Sequence, residues 1–464
     1  MFYDIIIIGS GPGGYVAAIK ASQCGMRVAV VERAEIGGIC LNWGCIPTKA
    51  LMKSAQVFRY MKHCEDYGIV SKGEFEPDFR AIIQRSRNVA ESMSKGVQYL
   101  FRKNNIDILA GNGKILPDRK VEVTDQEGKT TVYNAAYVIL ATGASSRQLP
   151  NLRQDGQKII GYREALTLPK LPESLIVVGS GAIGSEFAFF YNSLGVKVTL
   201  IELLPNILPL EDEEISKQIE RSFRKQGIKL MTETMVENVE VVDNICKVSV
   251  KDKKGSLVML EANIVLSAVG VETNIENIGL EETGILYEKG KILVDEYYRT
   301  NIEGVYAIGD IVHGPALAHV ASREAIVCVE KIAGHEPATI DYGNIPSCTY
   351  TTPEVASVGL TEKKAIELGY KIKTGKFPYT ASGKAAAAGN KEGIVKVIFD
   401  SETNLLLGCH IAGENVTEMI AEAVVIRQTK TTACQILASV HPHPTMSEAL
   451  MEAVEDAMGQ AIHL

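Results

Sequence analysis

Apolar residues at the start of the chain form two short runs separated by a helical segment. Tyr3–Ile8 is almost continuously apolar, which is typical of a strand whose two faces are both buried. Glycines follow at once, and Tyr15–Cys24 then has the pattern of a helix ended by Gly25, a candidate left-handed cap. A second apolar strand, Val28–Val31, leads into Glu32. The pattern predicts a strand–turn–helix–strand unit.

The same layout returns 170 residues further along the chain. A strand at Leu175–Val178 precedes a glycine-rich turn, and Gly195 closes the helix that follows. The next strand, Val196–Ile201, ends in Glu202. Both turns match the GxGxxG fingerprint between a strand and a helix, which indicates two dinucleotide-binding units. The fingerprint glycines are Gly9, Gly11 and Gly14 in the first copy and Gly179, Gly181 and Gly184 in the second.

Each fingerprint position has a physical purpose. The first glycine allows the tight turn, the second lets the backbone approach a pyrophosphate, and the third lets helix and strand pack closely. The helix N-terminus offers N–H groups and a positive dipole to the phosphates. Glu32 and Glu202 are placed to accept hydrogen bonds from ribose hydroxyls. Because Leu203-Leu204-Pro205 follows Glu202 where an NADP site would want arginines, the second site favours NAD. The nucleotide of the first site stays open on these grounds.

Three further strands end in glycine and help to divide the chain. They are predicted at Tyr137–Ala141, Ile264–Ala268 and Gly304–Ile308. Gly143 and Gly270 follow the first two and are candidate cofactor-binding residues, or simply strand-terminal turns. We expect an α/β fold with two Rossmann-like dinucleotide-binding domains and an α+β C-terminal domain. The predicted segments are 1–149 for the first domain, 150–270 for the second, 271–341 for a part that completes the first, and 342–464 for the C-terminal domain.

Composition narrows the class of protein. A chain of 464 residues is long enough for about three domains, and its 46% hydrophobic and 22% charged residues are typical of a globular protein. The net charge of -8 repels a phosphate backbone, so we expect no nucleic-acid partner. We expect no membrane association either, because no apolar run is long enough to cross a bilayer. The first strand starts almost at Met1 and leaves no room for a signal peptide, which predicts a cytoplasmic protein.

Two of the nine cysteines, Cys40 and Cys45, stand out by their surroundings. They flank Leu41-Asn42-Trp43-Gly44, a spacing at the loose end of what zinc ligands use. A structural zinc needs a second Cys or His pair, and the sequence shows none, so we expect no metal. A helix is predicted to begin near Cys40, and a thiol at a helix N-terminus is pushed toward thiolate. On spacing alone, two unconnected buried cysteines stay an alternative.

The segment His441-Pro442-His443-Pro444 carries a candidate base. Each proline keeps its preceding histidine out of helical geometry, and a helix is predicted to follow through about Ala461. An imidazole ordinarily titrates near a pKa of about 6.5, which suits it to take a proton from a thiol. Thr445-Met446-Ser447-Glu448 also has the pattern of a capping box. Glu448 is therefore either the cap partner or the partner of His443.

These segments together resemble the flavoprotein disulfide reductases over essentially the whole chain. The motifs that carry the resemblance are GSGPGG, GGICLNWGCIPTKAL, ATG, GSGAIGSEFA, GVYAIGD and HPHPTMSE. The resemblance implies that the first site holds FAD, with Glu32 on its adenosine ribose. It also implies that Cys40 and Cys45 are the redox-active pair, lying against one flavin face with the nicotinamide on the other.

Three further residues receive roles only through this resemblance. It implies that Asp310 contacts the ribityl chain or pyrophosphate of FAD, and that Lys49 and Glu186 approach the isoalloxazine edge. From the residues alone, Asp310 is as well explained as a helix N-cap and Lys49 as an exposed helix residue. The resemblance further implies a homodimer whose C-terminal domain supplies His443 as base, oriented by Glu448, to the partner subunit.

Within the family, the motifs favour oxidation of protein-bound dihydrolipoyl groups with reduction of NAD+. The expected partners are a lipoyl-bearing acyltransferase or the glycine-cleavage H protein. One alternative is another member such as a glutathione-type reductase, although such enzymes favour NADP and substrate-binding basic residues. The other is a mainly structural subunit of a 2-oxo acid dehydrogenase complex. Trp43 departs from the family pattern, which often has a smaller residue between the cysteines.

Overall fold

The computed structural model describes residues 2–464. The chain forms two compact units, each built from three separate stretches. The first comprises Met1–Ala50, Ile83–Arg147 and Val271–Tyr342, and the second comprises Leu51–Ile82, Gln148–Gly270 and Gly343–Leu464. The predicted α/β class, with two Rossmann-like parts and a C-terminal α+β part, is confirmed. The assignment of a nucleotide to each predicted segment stays a prediction.

A seven-stranded sheet organises the first unit. Its strands are Phe2–Ile8, Val28–Glu32, Asp107–Ala110, Asn112–Leu116, Lys120–Thr124, Thr130–Leu140 and Val305–Ala307. Lys120–Thr124 pairs antiparallel with Asn112–Leu116 on one side and with Thr130–Leu140 on the other, and the other strand pairs of the sheet are parallel. The strand predicted from Tyr137 in fact begins at Thr130, because its first half pairs with one of the antiparallel strands.

Both faces of this sheet are buried, which explains the continuous apolar run in its first strand. Ile5 and Ile7 pack into a core on the side of the helix Pro12–Gln23. Ile6 and Ile8 pack into a second core on the opposite face. Successive side chains of a strand point to opposite faces, so a strand covered on both sides is apolar at nearly every position, and Asp4 is the one charged residue of Phe2–Ile8.

The register of the parallel strands brings their carboxyl ends to one edge of the sheet. Ile8 pairs with Val31 on one side and with Leu140 on the other, and Leu140 also pairs with Ala307. The turns that follow these strands therefore meet at the edge where α/β sheets bind their ligands.

The remaining elements of the first unit are short strand pairs and helices. Ala144–Ser146 pairs with Val271–Thr273, and Tyr287–Glu288 pairs with Lys291–Ile292. The helices that begin in this unit are Pro12–Gln23, Gly38–Trp43, Cys45–Lys62, Leu280–Thr283 and Ala318–Ile332, and most of Phe79–Lys103 also belongs to it.

A five-stranded parallel sheet and a three-stranded antiparallel sheet lie in the second unit. The parallel strands are Ile159–Ile160, Ser174–Val178, Lys197–Ile201, Lys229–Met231 and Ile264–Ser267. The antiparallel strands are Met235–Val242, Ile245–Lys251 and Leu257–Ala262. The helices of this part are Tyr162–Ala165, Ala182–Ser193 and Glu213–Lys225.

The C-terminal part of the second unit is a five-stranded antiparallel sheet with helices. Its strands are Ser347–Thr349, Glu354–Gly359, Ile372–Pro378, Ile394–Asp400 and Leu406–Gly413. Its helices are Glu362–Glu367, Gly383–Ala388, Val416–Gln428, Ala433–Leu437 and Glu448–Ala457. The last helix packs its buried side, including Ala449 and Ala453, into the core of this sheet.

Glycines end the helices of both fingerprint units as predicted. Gly25 and Gly195 have φ angles of 83° and 95°, which is the left-handed conformation of a helix cap. The last helix was predicted to run to about Ala461, but it ends at Ala457. Gly459 has a φ of 70°, so the chain reverses there for the same reason.

A buried lysine joins the C-terminal sheet to the nucleotide-binding part of the second unit. Lys396 is 2% exposed and its ammonium lies 2.9 Å from Asp212, 2.7 Å from Glu214 and 2.6 Å from Glu362. Burial alone would raise the pKa of Asp212, but the ammonium and two backbone N–H groups outweigh it and lower that pKa. The contribution of Asp212 to stability is therefore present above its ordinary pKa of 3.8 and is lost as the pH falls through the lowered value.

We expect Lys396→Met to destabilise the protein, because it leaves Asp212 buried without its counter-ion. Breaking a buried ion pair by removing one partner costs about 3–5 kcal/mol, and we expect the melting temperature to fall by roughly 5 °C or more. The matched control is Lys373→Met, since the Lys373 side chain is exposed on a neighbouring strand. Thermal unfolding followed by circular dichroism measures both, and equal melting temperatures would contradict the role of the cluster.

Candidate active site

The first fingerprint turn is shaped by two glycines that the fold itself requires. Gly9 has a φ of 107°, and a Cβ there would overlap the carbonyl oxygen of Ala141. A Cβ on Gly14 would overlap the carbonyl oxygen of Gly9. The turn therefore passes between two strands with no space for a side chain at these positions.

Gly11 differs, because nothing in the protein occupies the space that a Cβ would fill. Its φ of -62° is open to any residue, and no atom lies within 4 Å of the ideal Cβ position. It is the N-cap of the helix Pro12–Gln23, whose first N–H groups face the same space. Open space beside a helix N-terminus fits the close approach of a pyrophosphate.

The carboxylate of Glu32 holds this turn in place. One of its oxygens accepts hydrogen bonds from the backbone N–H of Ser10 at 3.0 Å and from its hydroxyl at 2.6 Å. The other oxygen accepts from the backbone N–H of Ala34 at 2.9 Å. A carboxylate offers about four acceptor positions, so one is left for a ribose hydroxyl. The serine of the GSG turn was not among the predicted site residues, although it occupies the same place in both copies.

The second fingerprint repeats this arrangement. Gly179 has a φ of 96°, a Cβ on Gly184 would overlap the carbonyl oxygen of Gly179, and Gly181 again has open space. Glu202 accepts from the backbone N–H of Ser180 at 2.9 Å and from its hydroxyl at 2.6 Å. Its other oxygen accepts from the backbone N–H of Leu204 at 2.9 Å. Two sites with the same geometry fit two dinucleotides.

The turn after the strand Thr130–Leu140 is braced within the first unit. Gly143 has a φ of 69°, and its carbonyl accepts the N–H of Asn274 at 2.9 Å. The side chain of Asn274 donates to the carbonyl of Thr142 at 3.0 Å. Gly270, at the end of the corresponding strand of the second unit, has a φ of 103°. At both positions the chain needs a positive φ to leave the strand, and this need is separate from any role toward a cofactor.

Asp310 lies in a short 3-10 turn, Gly309–Ile311, at the carboxyl edge of the first sheet. Ile308 precedes this turn as its cap, so Asp310 is not a helix N-cap. Burial raises the pKa of Asp310, and the Lys291 ammonium offsets only part of that effect. The Lys291 ammonium also donates to the backbone carbonyl of Asp310. Glu324 accepts the N–H of Gly309 at 2.6 Å, so two residues without a sequence signal hold this turn.

Cys40 and Cys45 form a disulfide, with their Cα atoms 4.7 Å apart. The predicted helix start near Cys40 is confirmed at Gly38, and a second helix, which was not predicted, begins at Cys45. Gly38–Trp43 is a short helix, Gly44 interrupts it, and the helix Cys45–Lys62 begins at the second cysteine. Cys45 is therefore the thiol at the N-terminus of a long helix, where the dipole favours thiolate. None of the other seven cysteines forms a disulfide.

His443 and Glu448 are in contact, whereas the predicted capping box does not form, because the N-cap of the last helix is Ser447 and Glu448 is its first residue. One Glu448 oxygen lies 2.8 Å from Nδ1 of His443, and the other accepts the backbone N–H of Thr445 at 2.7 Å. Partial burial would raise the pKa of Glu448, but the hydrogen bonds from Thr445 and His443 outweigh it and lower that pKa. A carboxylate on Nδ1 leaves Nε2 of the exposed imidazole as the proton acceptor. His441 contacts Glu422 at 2.8 Å instead.

Lys49 lies in the first unit and Glu186 in the second. Lys49 is half-buried near the start of the helix Cys45–Lys62. Glu186 is 3% exposed in the helix Ala182–Ser193, and one of its oxygens accepts the N–H of Tyr350 at 3.0 Å. A buried carboxylate that is already anchored to the backbone has a defined orientation, which suits a residue beside a cofactor.

Residues 2–464 contain neither a metal-binding cluster nor a membrane-spanning helix. Among residues 2–464, no three His, Cys, Asp or Glu side chains come together in a way that could hold a metal ion. Within the same residues, no helix has both the length and the apolar composition that a membrane span requires.

Comparison with known proteins agrees with this geometry. A dihydrolipoyl dehydrogenase from Rhizobium etli is 47% identical to the chain, with 99% of each covered, and one from Zymomonas mobilis is 45% identical with the same coverage. A crystal structure of LpdA from Mycobacterium tuberculosis superposes with a TM-score of 0.90 at 27% identity, covering 97% of this chain and 98% of that one. Residues 345–454 match the dimerisation domain of the pyridine nucleotide-disulphide oxidoreductases. Residues 3–325 match their main domain, and the chain belongs to the pyridine nucleotide-disulphide oxidoreductase family.

Proposed function

We propose that this protein is a flavoenzyme that oxidises dihydrolipoyl groups to the cyclic lipoyl disulfide and reduces NAD+. The observation that carries the proposal is the Cys40–Cys45 disulfide, whose second cysteine heads a long helix. Two dinucleotide sites of the same geometry accompany it in the chain. Relatives that are 42–47% identical over nearly their whole length are named dihydrolipoyl dehydrogenases.

The cysteine pair takes two electrons from the substrate by thiol–disulfide exchange. His443 accepts a proton from the substrate dithiol, and the resulting thiolate attacks the sulfur of Cys40. The Cys40–Cys45 bond breaks and Cys45 leaves as a thiolate, stabilised by its helix dipole. The second substrate thiol attacks the substrate sulfur bound to Cys40, and its proton passes to the departing Cys40 sulfur, which releases the cyclic disulfide and leaves Cys40 as a thiol. Bound FAD and NAD supply the electron-carrier chemistry that returns the cysteines to the disulfide.

The glycine turns and their carboxylates would hold these cofactors. The first turn would hold FAD and the second NAD, with Lys49 and Glu186 at the flavin edge. The residues proposed to hold them are Gly9, Gly11, Gly14, Glu32, Lys49, Gly143, Gly179, Gly181, Gly184, Glu186, Glu202, Gly270 and Asp310. Segments 1–149 and 271–341 would then form the FAD domain, 150–270 the NAD domain, and 342–464 the interface domain. The open space at Gly11 and Gly181 supports two pyrophosphate sites.

The dimerisation domain supports a homodimer in which each His443 serves the partner subunit. The substrate lipoyl group would be carried by another protein. We propose a lipoyl-bearing acyltransferase or the glycine-cleavage H protein in this role, and a cytoplasmic location. Seven cysteines outside any disulfide, beside one redox-type disulfide, support a reducing compartment.

We expect Cys45→Ser to abolish dihydrolipoamide oxidation, because no thiolate can leave when Cys40 is attacked. NADH formation measured by absorbance should fall by more than about 10³-fold, while ferricyanide reduction by NADH, which does not need the cysteines, persists. The matched control is Cys434→Ser, an exposed free cysteine. Full dihydrolipoamide activity in Cys45→Ser would refute the mechanism.

We expect His443→Ala to reduce kcat by about 10²–10⁴-fold, the usual contribution of a general base. Glu448→Gln should have a smaller effect, since the amide keeps a hydrogen-bond acceptor for Nδ1 of His443 but loses the charge that strengthens this contact. His441→Ala is the control, because that histidine contacts Glu422. The kcat/KM of each variant across pH 5–9 would be compared, and equal losses at His441 and His443 would argue against the assignment.

We expect NADH, added anaerobically, to reduce the bound flavin, and NADPH to do so at least about 100-fold more slowly. The carboxylate of Glu202, held at the end of its strand by Ser180, repels a 2′-phosphate. Stopped-flow absorbance of the yellow protein measures both rates. Reduction by NADPH alone would overturn the NAD assignment.

A further inference from the structure

The helix Phe79–Lys103 supports residues 36–50, the stretch that contains Cys40 and Cys45 and is called the redox segment. Side chains from this helix donate hydrogen bonds to backbone carbonyls on both sides of the cysteine pair. They are Ser94 to Ile36 at 2.8 Å, Arg87 to Asn42 at 2.6 Å, Ser86 to Pro47 at 2.8 Å and Arg85 to Ala50 at 2.7 Å. All eight residues belong to the first unit. The redox segment is therefore held by contacts that the sequence around the two cysteines does not predict.

Arg87 is the member of this set that reaches between the two cysteines. Its guanidinium donates to the carbonyl of Asn42 and lies 4.1 Å from the centre of the Trp43 ring. Asn42 and Trp43 both stand between Cys40 and Cys45. A planar guanidinium stacks well on an indole, and the hydrogen bond and the stack together fix its position.

A fixed positive charge at this turn acts differently on the two redox states. The disulfide is neutral, whereas two-electron reduction leaves a thiolate at the same turn. A cation beside a thiol lowers its pKa and stabilises the thiolate. An arginine is suited to this purpose because it stays charged at any pH the protein meets. The charge thus adds to the dipole of the helix that begins at Cys45.

We propose that Arg87 is a positioning residue that, seated on Trp43 and the carbonyl of Asn42, holds the redox turn and favours its thiolate form. The proposal rests on the proposed function, since it concerns the same cysteine pair. It also gives Trp43 a purpose, because a small residue at this position offers no surface for the guanidinium.

The test compares three variants of the full-length holoenzyme. Arg87→Gln removes the charge and keeps a hydrogen-bond donor, and Arg87→Lys keeps the charge without the planar stack. Arg102→Gln is the matched control, because it removes one exposed charge near the far end of the same helix. After reduction with dithiothreitol, alkylation of Cys40 and Cys45 by iodoacetamide is followed by mass spectrometry across pH. The midpoint potential of the pair is measured in dithiothreitol redox buffers.

We expect Arg87→Gln to raise the pH midpoint of alkylation and to slow alkylation about tenfold below that midpoint. A tenfold loss in the equilibrium constant for reduction corresponds to a potential about 30 mV lower for a two-electron couple. Arg87→Lys should recover part of both shifts, and Arg102→Gln should show neither. Equal alkylation midpoints and potentials in Arg87→Gln and Arg102→Gln would overturn the proposal.

Fluorescence separates this role from mere packing, because Trp43 is the only tryptophan in the chain. An altered Trp43 emission with an unchanged alkylation midpoint would make Arg87 a packing residue and would contradict the proposal. If Arg87→Gln fails to fold, Trp43→Leu removes the surface for the guanidinium and should shift the midpoint in the same direction. An unshifted midpoint in Trp43→Leu would also count against it. Failure of the wild type to oxidise dihydrolipoamide would instead refute the proposed function and leave the thiol comparison valid.

Discussion

The hydrogen bonds from Ser10 and Ser180 to the carboxylates of Glu32 and Glu202 are the interactions on which both halves of this enzyme depend. Each one joins the end of the second strand of a fingerprint unit to the turn that ends the first strand. Because that turn leads directly into a helix, the same bonds aim the helix N-terminus at the phosphate position. Glu32 and Glu202 are thus structural parts of their turns as well as candidate ribose ligands. In the first turn, the space beside Gly11 at the helix N-terminus is left open.

The reactive groups of the two units share a second constraint, since each is held by backbone contacts. The cysteine pair sits where a short helix is interrupted and a long helix begins at Cys45. His443 sits on a proline-flanked loop, and Glu448 binds both the imidazole and the backbone of Thr445. A carboxylate that is anchored by one oxygen can orient a partner with the other, so the bond to the Thr445 backbone fixes the carboxylate that contacts the histidine.

Much of the fold and of the site could be predicted because the signals are local. Periodicity located the strands of both Rossmann-like parts, and glycine identified the helix caps at Gly25 and Gly195. The fingerprint glycines and the cysteine pair are read from a few consecutive residues. The predicted helix start near Cys40 is confirmed at Gly38, but the second helix start at Cys45 was not predicted, because the break at Gly44 depends on backbone conformation, which composition does not specify. Lys291 and Glu324 had no signal, since they reach the Asp310 turn from distant parts of the chain.

The amino-acid sequence alone is enough to predict the class of fold and the two fingerprint turns, because these follow from backbone freedom at glycine and from the pattern of apolar positions. The redox role of Cys40 and Cys45 was implied by the family resemblance, since their spacing alone left it open. Which groups surround these elements depends on the tertiary structure. Arg87 on Trp43 and Lys396 among three carboxylates are contacts between residues far apart in the chain. Such contacts arise when packed elements bring side chains together, and no local pattern records which charge will meet which partner.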